Sequence, residues 1–208
     1  MSSVAPCVTA TKNISLIVYR ALDVKNWLQR PPTVEEARPG RCPGCDAAGR
    51  PIGGRIGLHG HGVRERQVRG PLAVGDAARE AVIGCRRYRC TSCGAIVTVV
   101  PRGIEPRRHY GRAAICMALA LWALAGWSAL AVRERVGTWK NPTATSWRTL
   151  RRWAMAAGLG AWSWCGGAAG LKPRAAAARA AQIAAGRAPP ATPGPIWEQA
   201  YAGGAALG

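Results

Sequence analysis

Eight cysteines occur among the 208 residues, and four of them form two Cys-x-x-Cys pairs, Cys42-Pro43-Gly44-Cys45 and Cys90-Thr91-Ser92-Cys93. Such a pair sets two thiolates one tight turn apart, which suits two corners of a tetrahedral metal site; two pairs complete a four-cysteine set. The expectation is one structural zinc ion on Cys42, Cys45, Cys90 and Cys93. A closed shell of four thiolates has no open position for water or substrate and no general base, so catalytic zinc is not expected.

Four thiolates on Zn2+ leave a charge of about −2. Arg86, Arg87 and Arg89, beside the second pair, would offset it and favour ionised thiols. The 44 residues between Cys45 and Cys90 exceed the roughly fifteen to twenty of compact sites, so a long hairpin insertion is expected between the pairs. Cys85 lies close enough to compete as a ligand. His59 and His61 are either ligands or hairpin-turn residues, the turn being favoured because the cysteines already fill the shell. Cys7, Cys116 and Cys165 read as ordinary buried thiols. A redox role for the pairs would call for a βαβ setting that the sequence does not offer.

The second chemical feature is charge. Lys+Arg number 29 against 10 Asp+Glu, a formal net charge of +19 with a pI near 11.1, and 25 of the 29 are arginine. A chain this cationic accumulates at polyanions: nucleic acid, an anionic membrane face or acidic protein. Residues 41–112 carry net +9 and residues 133–153 net +5, on either side of the uncharged stretch 113–132. So few carboxylates argue against an acidic metal-ion centre, and residues 154–208 hold a single acid, Glu198. Transposase-type catalysis, which needs carboxylates around two metal ions, is therefore not expected in this chain.

The elements that must position these groups follow from composition and period. The apolar share of 49% includes 40 alanines and no Phe, so bulky side chains make up only roughly 30% of the chain and a large barrel or doubly wound sheet is hard to fill. Residues 14–19 read as a strand, and Asp23 as the N-cap of a short helix through Leu28 that Pro31-Pro32 ends. Residues 62–68, 84–88 and 95–100 favour strands, with Pro101 closing the last. From Tyr110 the period becomes helical: 112–125, ended by Gly126; Ser128 capping a helix to Val136 with Gly137 as its stop; and Thr145 or Ser146 capping a third helix to Ala157. On that third helix Trp147, Leu150, Ala154 and Ala157 form the inward stripe, with Trp153 at its margin. Arg148, Thr149, Arg151 and Arg152 then face outward, and Lys140, Arg133 and Arg135 are expected nearby. A helix so decorated suits the major groove, where Arg bonds guanine and the helix N-terminus meets phosphate.

The order Cys-x-x-Cys, His-Gly turn, Arg-Tyr-Arg-Cys-x-x-Cys-Gly, Val-Val-Pro-Arg-Gly and Arg-Arg-x-Tyr resembles a bacterial family of uncharacterised proteins related to the N-terminal regions of insertion-sequence transposases. The later Ala-Leu-Trp-Ala-Leu-Ala-Gly-Trp-Ser, Ala-Val-Arg-Glu-Arg-Val and Trp-Arg-Thr-Leu-Arg-Arg-Trp are similar to the helix-turn-helix part of that family. The resemblance covers residues 40–158. It implies a zinc ribbon on Cys42, Cys45, Cys90 and Cys93, with Gly70–Ala81 as an insertion. It further implies a helix-turn-helix whose recognition helix spans 146–157 and reads element-end or operator-like DNA.

The expected fold is α+β: an N-terminal strand, helix and linker over 1–40, a small β-rich ribbon over 41–105, a three-helix helix-turn-helix-like domain over 106–158, and a flexible Ala/Gly/Pro-rich tail over 159–208 with an Ala-rich helix in it. The expected function is non-enzymatic, sequence-directed binding of double-stranded DNA, transposon-associated or regulatory. A transposase or integrase is the expected protein partner, and homodimerisation is left open. The N-terminus carries no export signal, which with unpaired thiols points to the cytoplasm and association with the nucleoid. Two alternatives stand beside this reading. One is a membrane-associated protein spanning at 115–132; the other is an RNA-binding ribbon, disfavoured by an aromatic content of 6% that supplies few stacking platforms.

Overall fold

A computed structural model describes residues 15–105, 108–138, 146–167 and 169–207. The chain is mixed α+β, with four strands in one sheet and, among the described residues, seven helices. The elements are β1 (Ser15–Asp23), α1 (Val24–Gln29), α2 (Val34–Ala37), β2 (Leu58–Gly70), β3 (Arg79–Cys90), β4 (Ile96–Arg102), α3 (Arg112–Ala123), α4 (Ala129–Val136), α5 (Arg148–Gly158), α6 (Pro173–Ala185) and α7 (Ile196–Ala206). The strand order is β1-β4-β3-β2. Strands β3 and β4 are antiparallel, with Arg87 opposite Thr98 and Arg89 opposite Ile96. Pro101 lies within β4 rather than closing it.

Two compact units emerge, and each is discontinuous in sequence. The first comprises residues 1–18, 33–64 and 86–99. Its small core contains Ala37, Leu58, Tyr88, Val97 and Val99, all buried. Thr33 opens α2 with a reciprocal capping box to Glu36, which satisfies two otherwise orphaned amides. The Tyr88 hydroxyl donates to the Val34 carbonyl at 2.6 Å, and the Arg38 guanidinium lies 5.6 Å from the Tyr88 ring centroid. A buried tyrosine thus satisfies its polar end and presents its ring face to a cation.

The second unit comprises residues 19–32, 65–85 and 100–208. Asp23 caps α1, accepting from the Asn26 amide at 2.8 Å, and the buried Trp27 indole donates to the Gly84 carbonyl at 3.0 Å. At its centre is α3, whose residues Ala114 to Leu121 are all buried. A helix apolar on every side needs partners all round, and α4, α5, α6 and α7 supply them. Trp153 is central rather than marginal: it is 2% exposed and makes edge-to-face contacts with Tyr110 at 4.9 Å and Trp147 at 5.1 Å. Ser128 caps α4 as expected, accepting from Ala131 at 3.1 Å. Helix α5 begins after Trp147 with no side-chain cap, so Ser146 does not cap it; Thr145 lies outside the described residues.

The Ala-rich helix expected in the tail is present as α6, but the expected flexibility of the tail is corrected. Residues 173–185 and 196–206 are helices α6 and α7, packed on α3 and on each other. Small side chains explain this: Ala176, Ala177, Ala180, Ala181 and Ala184 form the buried face of α6. A Cβ on Gly203 of α7 would lie 1.7 Å from the Ala184 carbonyl oxygen, and one on Gly204 would lie 2.8 Å from the Cys116 sulfur. The alternative membrane span is corrected as well. Its residues fall in α3, in the connection 124–128 and in α4, and no helix among the described residues is long and apolar enough to cross a membrane.

Candidate metal centre and basic surfaces

Cys42, Cys45, Cys90 and Cys93 converge, with all four Sγ atoms within 4.8 Å of one another. The cross-pairs Cys42–Cys93 and Cys45–Cys90 are each 3.7 Å apart. Four sulfurs at about 2.3 Å from a common tetrahedral centre would be separated by about 3.8 Å, so the thiols are already spaced for one ion. The four cysteines form a possible metal-binding site.

The two turns share one backbone design. The Cys42 amide donates to the Ala47 carbonyl at 2.8 Å, and the Cys90 amide to the Ala95 carbonyl at 2.9 Å. The amides of Asp46 and Gly94 return to the carbonyls of Cys42 and Cys90 at 2.8 and 3.0 Å. Both Asp46 and Gly94 have positive φ, 58° and 72°, the left-handed position that closes each turn. The Gly44 amide points at the Cys42 sulfur at 3.4 Å.

The thiols differ in acidity. At Cys90 burial opposes ionisation, but backbone N–H groups of Cys93 and Ser92 and the neighbouring thiols outweigh it, bringing the group down to about 7. Burial holds Cys42 up. Cys45 and Cys93 are also raised: amide hydrogen bonds favour their ionisation, but burial and adjacent thiols prevail. A cation held among the four sulfurs would favour the thiolate form of each of them.

Cys85, the competing ligand, is buried in β3 outside this cluster. His59 and His61 are exposed residues of β2, neither in a turn nor in the thiol set. The extended pairing that begins at Leu58 takes up the segment read as a turn. Cys116 and Cys165 are buried, as expected; Cys7 lies outside the described residues.

The residues expected to contact DNA are placed unequally. Arg148, Arg151 and Arg152 are exposed on α5, and Thr149 is half-buried. Met155 and Leu159, 50% and 81% exposed, continue the same helical stripe. The main partner of α5 is α6, and that of α4 is α3. Arg133 is half-buried on α4. Arg135 is used within the second unit: its guanidinium donates to the carbonyls of Asp76 and Val74, both at 2.7 Å, and so braces the β2–β3 loop. Lys140 lies outside the described residues.

Sequence reasoning assigned Arg87 and Arg89 only the task of offsetting thiolate charge. They alternate with buried Tyr88 on β3 and therefore share one sheet face. The usable signal was the alternation itself, once a strand was recognised through residues 84–88.

No family model matches the chain, and no curated protein or solved structure is significantly similar to it.

Proposed function

We propose that the chain is a non-catalytic, double-stranded-DNA-binding protein whose ribbon-like first unit is held by one structural zinc ion. The observation that carries the metal reading is the 3.7 Å spacing of the cross-paired thiols. Zinc is the ion that a tetrahedral all-thiolate set favours, and in such a site it contributes folding energy rather than chemistry. The DNA reading is supported by the net charge of +19 together with the exposed Arg148, Arg151 and Arg152 on one helix.

In this reading α3, α4 and α5 serve as a helix-turn-helix-like group, with α5 presenting guanidiniums to base edges and phosphates. The same reading takes the protein as a transposon-associated or regulatory factor acting at the nucleoid, with strand chemistry supplied by a transposase or integrase partner; only the sequence motifs support this part of it. The test is anisotropy of a labelled duplex with the zinc-loaded protein, followed by selection of bound sequences from a random DNA pool. Arg148→Ala with Arg152→Ala should weaken binding and flatten sequence preference. Unchanged affinity across salt concentrations removes α5 as the reader.

A further inference from the structure

In the first unit, a hollow of about 400 Å3 is lined by Ser15, His61, Arg87, Arg89, Gly94 and Ile96. A second hollow of about 310 Å3, lined by His59, Arg89, Cys90, Thr91 and Gly94, shares Arg89 and Gly94 with the first. The two adjoin at these residues as one depression, and among the described residues its charged and titratable lining is two arginines, two histidines and one cysteine, with no carboxylate.

The acids of this unit are engaged elsewhere among the described residues. Glu35 pairs with Arg38 and Arg50, Asp46 pairs with Arg41 at 2.7 Å, and Glu36 caps Thr33. No carboxylate among the described residues pairs with Arg87 or Arg89. Guanidiniums this close together repel one another unless an anion lies between them. A planar guanidinium also matches a phosphate oxygen pair in fork geometry.

We propose that this depression is a second DNA-contacting surface, in which Arg87 and Arg89, flanked by His61, take successive phosphates of one strand of a duplex. The proposal rests on the DNA-binding reading above and adds a surface to it. Residues two apart on a strand are about 6.8 Å apart, a spacing that suits neighbouring phosphates along a backbone. The contact is to phosphate and carries register rather than sequence. The ribbon thereby holds the duplex while another element reads it.

The experiment uses the full, zinc-loaded chain and a random-sequence duplex, with affinity measured over a series of salt concentrations. Arg87→Gln with Arg89→Gln should reduce the slope of log affinity against log salt by about 1.8, two phosphate contacts' worth, and weaken binding roughly tenfold at moderate salt. Metal content and thermal midpoint are measured alongside. A second variant, His61→Glu, places a negative charge in the hollow without touching either arginine and should weaken binding in the same direction. Wild-type affinity and slope in both variants overturn this surface while leaving the DNA reading intact. Failure of the wild-type chain to bind duplex, or binding to single-stranded RNA alone, overturns both.

Discussion

Arg112 and Glu105 form an ion pair inside the second unit, their side chains only 8% and 5% exposed. The pair joins the segment after β4 to the start of α3, and Arg112 also donates to the Leu207 carbonyl just past α7. One guanidinium therefore ties together residues that are 95 positions apart. Breaking a buried pair by removing one partner leaves an uncompensated charge. Glu105→Ala is expected to cost about 3–5 kcal/mol, read from denaturant unfolding. Glu105→Leu combined with Arg112→Leu should cost much less than the sum of the two single changes. Additive costs would show that the pair is not coupled.

Metal removal should act on the first unit. One zinc per chain is expected from elemental analysis, lost in Cys90→Ser with Cys93→Ser. Chelation should release it, melt that unit and leave most of the far-UV helical signal, since α3 to α7 lie in the second unit. A chain that folds without metal, with its thiols spaced as described, would remove the structural role.

The two knuckle turns make a sharper prediction. Gly94 and Asp46 occupy the same left-handed position, and a Cβ on Gly94 would meet nothing within 4 Å. Gly94→Ala should therefore cost only the conformational penalty, about 1–2 kcal/mol, and Gly94→Asn less, as asparagine tolerates that region better. The measurement is the thermal midpoint of the metal-loaded protein; a larger loss from Asn than from Ala would contradict it.

Close helix contact around α7 is testable by one methyl group. Gly203→Ala must displace α7 from the Ala184 carbonyl and should destabilise by at least about 1–3 kcal/mol, the usual range for overpacking. The control is Gly75→Ala, where the added carbon meets nothing within 4 Å.

Alkaline pH should weaken the second unit. Burial raises the Cys116 thiol well above its ordinary value, and burial aided by Asp76 and Asp23 does the same for the Tyr201 hydroxyl. The unfolded chain ionises at about 8.5 for Cys and about 10 for Tyr, while the folded groups stay protonated. Their contribution is whole below those values and is lost as pH rises past them. Denaturant midpoints should decline above about pH 8.5, and Cys116→Ala should flatten the first part of that decline.

Much of this was legible in the sequence for local reasons. The thiol set follows from ligand spacing, β1 and β4 from β-branched runs, and the caps at Asp23 and Ser128 from side chains that reach amides only three residues away. What was illegible depends on distant partners. Alanine removes little apolar area per residue, so the buried face of α6 has no strong periodic signal; it becomes a core only because Gly203 and Gly204 let α7 approach. Trp153 looked peripheral until Tyr110 supplied its edge-to-face partner. Arg135 looked like a phosphate contact because nothing nearby in sequence announces that a loop 59 to 61 residues upstream turns its carbonyls toward it.

The seating of α7 also sets an order of events during synthesis. Every part of the first unit has been made once residue 99 leaves the ribosome, whereas the helix that covers Cys116 is translated some eighty residues after it. Nascent chains arrested short of residue 196 are expected to leave Cys116 open to thiol reagents, and chains whose residue 207 has left the ribosome to protect it. Until then, the flank of α3 that α7 covers is apolar surface left open to unintended contacts.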